Sequence, residues 1–596
     1  MPGAKPLLIY DGRCSFCKIW IDYFRLRTGD RVAFAPSQDV GDQYPQIPPK
    51  AFAESVQLVR PDGTVARGAR AVFEALGMER TYESSRGFAI LTEWAYRIIA
   101  RHRGFFYHVT RLTFGTHIEP ARFASTQWLF LRLLAIVYAI AFASLGVQVE
   151  GLIGSRGILP AGDFLNAVAQ SLSGSTRYMA MPTVFWINAS DGMFRGVSIA
   201  GVALAVLLFL GFVERLALVL LFVLYLSLSN VGQDFLSFQW DALLLEAGFL
   251  GIFLGRSQVV VWLYRWLVFR LLFLSGCVKL LSNDPSWRNL SALGFHYYTQ
   301  PLPTVFAWYM EQLPQWFHRA STLVVLVTEI GVPFLIFMPR RVRMFGAACL
   351  LALQLLILIT GNYTFFNILT MALCLFLFDD RALAWLAVKV RWGRGMSPQR
   401  PARGERAVAG ALAALVLTLG ITRMSQSLSG DAPEPLRSLA RIASPFQIVN
   451  SYGLFAVMTT SRPEIIVEGS NDDETWLAYE FRYKPGDLYV APRWVAPHQP
   501  RLDWQMWFAA LSNYRANLWF VAFAARLLEG SPPVLGLLEK NPFPDRPPRY
   551  VRAVVFEYKF TDWPERRKTG AWWKREPKGT YLPPMGLRAL SRAKTR

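Results

Sequence analysis

Apolar residues run through the middle of this chain in blocks too long and too unbroken to be one face of a soluble helix. They lie near 127–147, 195–213, 215–230, 240–255, 259–281, 321–338, 342–361, 363–378 and 406–424. A helix rising ~1.5 Å per residue needs about 18–20 such residues to cross a hydrocarbon core roughly 30 Å thick, so the pattern predicts nine crossings. On either side the periodicity changes. In residues 1 to about 118, "PLLIY" and "SVQLVR" read as strands, "PDG" (61–63) as a turn and "ARAVFEALG" as a helix. A basic stretch at 97–115 then leads to the membrane. From 432 onward, "EIIVEGSNDDETWLAYEFRYKPGDLYVAPRWVAP" alternates strand runs with turn clusters, "DWQMWFAAL" and "LWFVAFAARLLEG" read as helices, and "VRAVVFEYKFT" reads as a strand. The fold class is a multi-pass α-helical membrane protein. Its expected parts are an α/β domain over 1–118, a helical bundle over 119–425, a β-rich α+β soluble domain over 432–585 and a basic tail over 586–596.

Composition sharpens this picture. The 596 residues are 53% hydrophobic and only 18% charged, with a net charge of +21. The excess cations form no nucleic-acid-binding stripe; they gather in short loops such as 338–344 and 388–407. Lys and Arg concentrated there mark cytoplasmic loops. With the N-terminus inside, nine crossings place Glu214–Arg215, Arg256, 339–343 and 379–405 inside. Loops 148–194, 231–239 and 282–320 fall outside, with fewer basic and more aromatic residues. The first residues hold no apolar core of signal-peptide length. The N-terminal domain is therefore expected in the cytoplasm and the C-terminal domain in the periplasm of a bacterial inner membrane.

"LLIYDGRCSFCKIW" (7–20) runs a strand into a Cys-x-x-C turn that opens a helix. There the thiolate of Cys14 gains from the helix N-terminus, and Cys17 is placed to resolve a mixed disulfide. Half a zinc site or an idle thiol pair are the alternatives. Zinc needs two more ligands, and this domain has no other Cys, its histidines falling late in the juxtamembrane stretch. No metal or cofactor is called for. Asp11, Gly12, Cys14 and Cys17 match position by position the Asp-Gly-x-Cys-x-x-Cys signature of the DCC family of thiol–disulfide oxidoreductases, which this segment resembles, as does 62–76. The resemblance implies a thioredoxin-like fold over the first 110 residues or so. No thioredoxin-style cis-proline can be placed, because Pro48–Pro49 precede a helix-like stretch.

Inside the apolar blocks, ionisable residues are costly and face the bundle interior. Glu246, Arg265, Arg270, Lys279 and Glu329 stand out. The expected topology suggests two ion pairs, Lys279 with Glu246 and Arg270 with Glu329. Structural pairing or snorkelling outweighs a functional polar cavity open beside loop 282–320. "SGCVKLLSNDPSW" faintly resembles the Gly-x-x-Lys segment of the vitamin-K-dependent carboxylase, where the lysine acts as a base, which makes Lys279 a candidate catalytic residue.

Long strings at 269–314, 361–367, 451–470, 496–511 and 541–544 together resemble the lipase maturation factor family over about 125–585. That resemblance implies a C-terminal domain on the lumenal side. It also implies a role in folding or assembling exported client proteins, secreted lipases being the clients of eukaryotic members. His296 reads as a hydrogen-bonded loop residue rather than a ligand, and "NDDETW" (471–476) as a solvated turn rather than a calcium loop. No Gly-x-Ser-x-Gly appears, so the chain does not itself read as a lipase. The Trp-rich strings 501–520 and 570–576 read as core or bilayer interface ahead of client surface. Cys277, Cys349 and Cys374 lie in the apolar blocks, and the exported domain has no thiol. A membrane folding factor is thus the leading reading; a membrane thiol–disulfide oxidoreductase and a carboxylase-like intramembrane enzyme using Lys279 are the alternatives.

Overall fold

The computed structural model describes residues 5–255, 257–384 and 402–589. Arg256, most of the basic loop expected at 379–405 and most of the expected basic tail lie outside the described residues. The chain divides into two compact units.

The first unit is an α/β domain on a four-stranded sheet of order β2-β1-β3-β4, formed by β1 (Leu7–Tyr10), β2 (Ala33–Pro36), β3 (Gln57–Val59) and β4 (Val65–Arg67). β1 pairs with β2 in parallel and with β3 antiparallel. Strand alternation serves both faces of the sheet. Leu8 and Tyr10 enter one core cluster, while Ile9 joins Phe52 and Val59 in the other. The turn read at 61–63 closes the β3–β4 hairpin, with Gly63 at φ +83°. Helix α1 (Ser15–Thr28) follows β1, and α2 (Gly68–Ala75) follows β4. The basic stretch at 97–115 is not a bare linker, because it forms the end of α3 (Arg86–Arg101) and all of α4 (Arg103–Thr113). Pro48–Pro49 do lead into a helix, Pro49–Glu54.

The second unit carries most of the apolar helices. Among the described residues seven helices are long and apolar enough to cross a membrane: α5 (Ala124–Gly146), α6 (Asp191–Leu210), α7 (Glu214–Val231), α9 (Gln258–Leu281), α11 (Gln315–Ile330, continued in 3-10 form to Phe337), α12 (Arg340–Thr360) and α14 (Arg403–Ser429). Two of the nine expected crossings are shorter, α8 (Gln239–Ile252) and α13 (Phe366–Leu373). Helix α8 has 14 residues, and at ~1.5 Å each it spans only about 21 Å. Its residues are buried on every side, which explains why it reads as apolar all round without facing lipid. Helix α10 (Leu293–Thr299) lies in the segment between α9 and α11.

Beyond residue 448, a sheet of order β10-β9-β5-β6 is formed by β5 (Pro463–Ser470), β6 (Leu477–Ala478), β9 (Tyr550–Phe560) and β10 (Trp573–Met585). Ile465 faces Val555 and Val467 faces Ala553 across the central pair. A small ladder joins β7 (Glu480–Phe481) to β8 (Leu538–Lys540). The strand pattern expected through 482–497 does not form; Pro485, Pro492 and Pro497 interrupt it, since proline cannot donate to a ladder. β10 was unforeseen for the same reason, carrying Pro577, Pro583 and Pro584 along an edge strand. Helices α15 (Arg501–Ala510) and α16 (Leu518–Leu528) bury Trp504, Trp507 and Trp519, and β10 buries Trp573. The Trp-rich strings are core.

This region is pinned to the bundle by polar groups with almost no exposure. Arg501 grips Asp241 of α8 through Nη1 at 2.9 Å and Nη2 at 2.8 Å and donates to the Phe235 carbonyl at 2.6 Å. Tyr225 of α7 donates to the same carboxylate at 2.5 Å. Breaking a buried pair from one side costs about 3–5 kcal/mol, whereas replacing both partners by apolar residues of similar volume is often near neutral. Asp241→Leu should therefore sharply lower the yield of monodisperse protein in detergent gel filtration, and Asp241→Leu with Arg501→Met should recover most of it.

Candidate functional site

Four of the expected intramembrane residues are buried and paired, but with partners exchanged. Arg270 pairs with Glu246, and Lys279 Nζ lies 2.5 Å from Glu329 Oε2. The expected combinations, Lys279 with Glu246 and Arg270 with Glu329, do not occur. Gly276 supplies the physical reason. A Cβ there would meet Ile330 at 2.6 Å and Glu329 Cβ at 2.9 Å, so α9 and α11 touch one turn before Lys279. Helix α11 also starts at Gln315, earlier than expected, and ends beside Lys279. Glu246, in the middle of short α8, is left opposite Arg270. Its second oxygen accepts from Tyr452 Oη at 2.8 Å and Asn450 N at 2.9 Å, while Arg270 donates to the Asn450 carbonyl at 2.9 Å.

Lys279 borders a cavity of about 90 Å3, whose walls include Glu329, His296, Trp287, Tyr363 and Asn367 among aliphatic side chains. Its Nζ donates to the Ser275 carbonyl at 3.1 Å and lies 5.3 Å from the Trp287 ring centre. The segment that closes the cavity is stapled down. Met458 N donates to Asp284 at 2.5 Å, Trp287 Nε1 to the Phe455 carbonyl at 3.0 Å and Ser282 Oγ to the Ala456 carbonyl at 2.6 Å. His296 is a wall of this cavity rather than a loop residue apart from it. It approaches Tyr363 Oη at 3.4 Å, and burial, helped by the Lys279 cation, lowers its pKa to about 4. His296 Nδ1 and Asn367 Oδ1 are buried without protein partners. At about 30 Å3 per water the space suits two or three waters or one small polar group.

The second constellation is the Cys-x-x-C turn. Cys14 is the N-cap of α1, and its Sγ accepts from Cys17 N at 3.3 Å. Asp11 turns back to accept from Arg13 N at 3.0 Å and Gln38 Nε2 at 3.2 Å. Gly12 is required by space, since a Cβ would stand 2.7 Å from both Gln38 Oε1 and Pro36 Cβ. The hydrogen bond from Cys17, the Cys17 backbone N–H and the Arg103 guanidinium pull the Cys14 thiol down to about 6 against the opposing effect of burial. Sharing that hydrogen bond, together with burial and the neighbouring thiolate, pushes Cys17 far up. The pair is thus set as one thiolate and one thiol, the arrangement that attacks and then resolves. Arg103, 3.6 Å from Asp11, was hidden in what reads as a juxtamembrane basic stretch. Among the described residues no group of three or more His, Cys, Asp or Glu side chains is placed to hold a metal.

Together these features define a multi-pass membrane protein that carries a thiol–disulfide oxidoreductase-like domain. The family description "Lipase maturation factor transmembrane domain" matches residues 125–385, "Lipase maturation factor C-terminal domain" matches 448–583, and "DCC1-like thiol-disulfide oxidoreductase" matches 8–108. Lipase maturation factor 2 of Gallus gallus is 35% identical over 590 residues, covering 79% of this chain and 82% of that protein. Lipase maturation factor 1 of Mus musculus is 37% identical over 519 residues, covering 79% and 90%, and that of Homo sapiens 35% over 512, covering 80% and 90%. No solved structure matches. The chain belongs to the lipase maturation factor family.

The cysteine geometry can be checked directly. Because only the thiolate reacts, alkylation of Cys14 by iodoacetamide should be half-maximal near pH 6 and flat above about pH 7.5. Cys17 should stay unmodified throughout, and Arg103→Gln should move the Cys14 midpoint to higher pH.

Proposed function

We propose that this protein assists the folding or assembly of exported proteins at a bacterial inner membrane, with the N-terminal domain in the cytoplasm and the C-terminal region in the periplasm. The observation that carries the reading is the match to both lipase maturation factor modules, membrane and C-terminal. A surface suited to unfolded clients supports it. Phe306 and Tyr309, one turn apart on the helix Val305–Glu311, continue into Trp494 on one side and Trp563 on the other. All four are 44–50% exposed, and contiguous exposed aromatics of this kind mark interaction sites. Secreted lipases are the client class suggested by the relatives' names. The C-terminal region contains no cysteine, so it works on clients by surface contact rather than thiol exchange.

The Cys14–Cys17 pair favours a second, additional reading as a thiol–disulfide exchanger, with Asp11 and Gly12 shaping its turn. We assign Lys279, Glu329, Arg270 and Glu246 a structural part, since each cation is held between a carboxylate and a backbone carbonyl.

In-cell crosslinking followed by purification should recover secreted enzymes in excess over a control inner-membrane protein, and Phe306→Ser with Trp494→Ser should reduce the yield at least threefold at equal expression. Client recovery indistinguishable from the control overturns the reading. For Lys279, the double variant Lys279→Met with Glu329→Leu should retain expression and client capture, because both charges leave together; loss of capture from a well-expressed double variant points to chemistry at the lysine instead.

A further inference from the structure

Beside the cysteine pair, the first unit encloses a second and larger cavity of about 460 Å3, bounded by α1, α2, α3 and α4. Its walls are almost wholly apolar and largely aromatic, with Phe16, Trp20, Phe73, Tyr96, Phe106 and Phe114 among them. Asp11, Arg103 and Cys17, from the redox turn and its ion pair, reach the same space, and the other polar groups on the walls are the hydroxyls of Ser55, Thr92, Tyr96, Thr110 and Thr113. Trp20 Nε1 is buried there without a partner. The volume falls within the range of small-molecule sites, roughly 300–1,000 Å3, which combine apolar walls with a few convergent polar groups.

We infer that this cavity binds the ring of a lipophilic quinone, and that the quinone exchanges two electrons with the Cys14–Cys17 pair. The contents of the cavity must explain why a redox sulfur forms part of its wall. An acyl chain would fill the apolar space but has no group that accepts electrons. A client peptide would need free main-chain partners, and the Val56 N–H at the wall is already taken by Tyr96 Oη at 3.0 Å. A flat ring with two carbonyls fits aromatic walls, and the Arg103 guanidinium and Trp20 Nε1 supply donors for the oxygens.

The access route matches this chemistry. The outer faces of α3 and α4 leave Ile90, Leu91, Trp94, Phe105 and Leu112 exposed among Arg97, Arg101 and Arg111. Basic helices with exposed apolar residues suit the headgroup/acyl boundary, which a quinone dissolved in the acyl layer can reach.

The step balances as dithiol plus quinone giving disulfide plus hydroquinone. The Sγ–Sγ bond forms and the Cys17 S–H bond breaks. The two sulfurs together lose two electrons. The quinone takes those electrons, the Cys17 proton and one solvent proton, which replaces the one Cys14 has already lost. The inference does not depend on what the C-terminal region binds.

The test uses the full chain, reduced, freed of reductant and held under argon in detergent, with decylubiquinone as the probe. The rate should saturate with quinone and yield one hydroquinone per disulfide formed. Cys14→Ser and Cys17→Ser should each abolish it. Ala95→Trp and Val72→Phe, which fill the cavity, should slow it at least tenfold at limiting quinone while keeping the wild-type unfolding midpoint. Decylbenzene, of similar shape but redox-inert, should compete. A rate linear in quinone up to its solubility, equal rates in the filled variants, or disulfide formed without hydroquinone overturns the proposal. If both filled variants unfold, the decylbenzene arm decides: absence of competition overturns it.

Discussion

A charge buried in an apolar bundle must be met by an opposite charge, with hydrogen bonds to spare for the backbone around it, or the bundle does not hold. This constraint organises the second unit. Arg270, Lys279, Arg462 and Arg501 are all buried, and each is met by a carboxylate and at least one backbone carbonyl. The carbonyls do much of the joining. Arg462, from the start of β5, donates to the Tyr298 carbonyl at 2.7 Å and that of Pro301 at 2.9 Å, and also to that of Gln300. Asn362, at the end of α12, donates to the Arg493 carbonyl at 2.8 Å and accepts from Val495 N and Ala496 N. The β-rich region is therefore not a separate module on a linker. Its backbone completes the polar accounting of the helices.

This interdependence explains what was legible in the sequence. The Cys-x-x-C turn was, because local rules suffice: a strand, an acceptor at Asp11, a Cβ-free position at Gly12 and a capping Cys14 fall within eight residues. The apolar helices were legible from length. Which cation meets which carboxylate was not. Loop charges order the helices but do not set their depth, which here follows from the contact at Gly276 and the early start of α11. The walls of the Lys279 cavity were invisible as a set, since Trp287 and His296, Tyr363, and Phe455 come from three separate segments. Arg103 and the larger cavity were missed because α3 and α4 read as a juxtamembrane basic stretch.

The two thiols and the exposed aromatic surface represent different kinds of chemistry in one polypeptide. One depends on a thiolate stabilised by a neighbouring thiol and a guanidinium. The other depends on exposed rings held rigid from behind, where Arg566 stacks on Trp572 at 3.3 Å and Trp308 donates to the Thr561 carbonyl at 2.9 Å. Rigid aromatic surface loses little rotamer entropy on contact, which suits transient binding of many sequences.

The Arg501–Asp241 clamp also sets an order of events during biosynthesis. Its two halves are 260 residues apart, so at about 5–20 residues per second Asp241 emerges roughly 13–52 s before its cation exists. Through that interval Tyr225, already made, is the partner at hand. Helix α8 thus reaches its final, fully buried state only after nearly the whole chain has been translated. A chain cut short before residue 501 therefore leaves an acidic helix without its counter-ion.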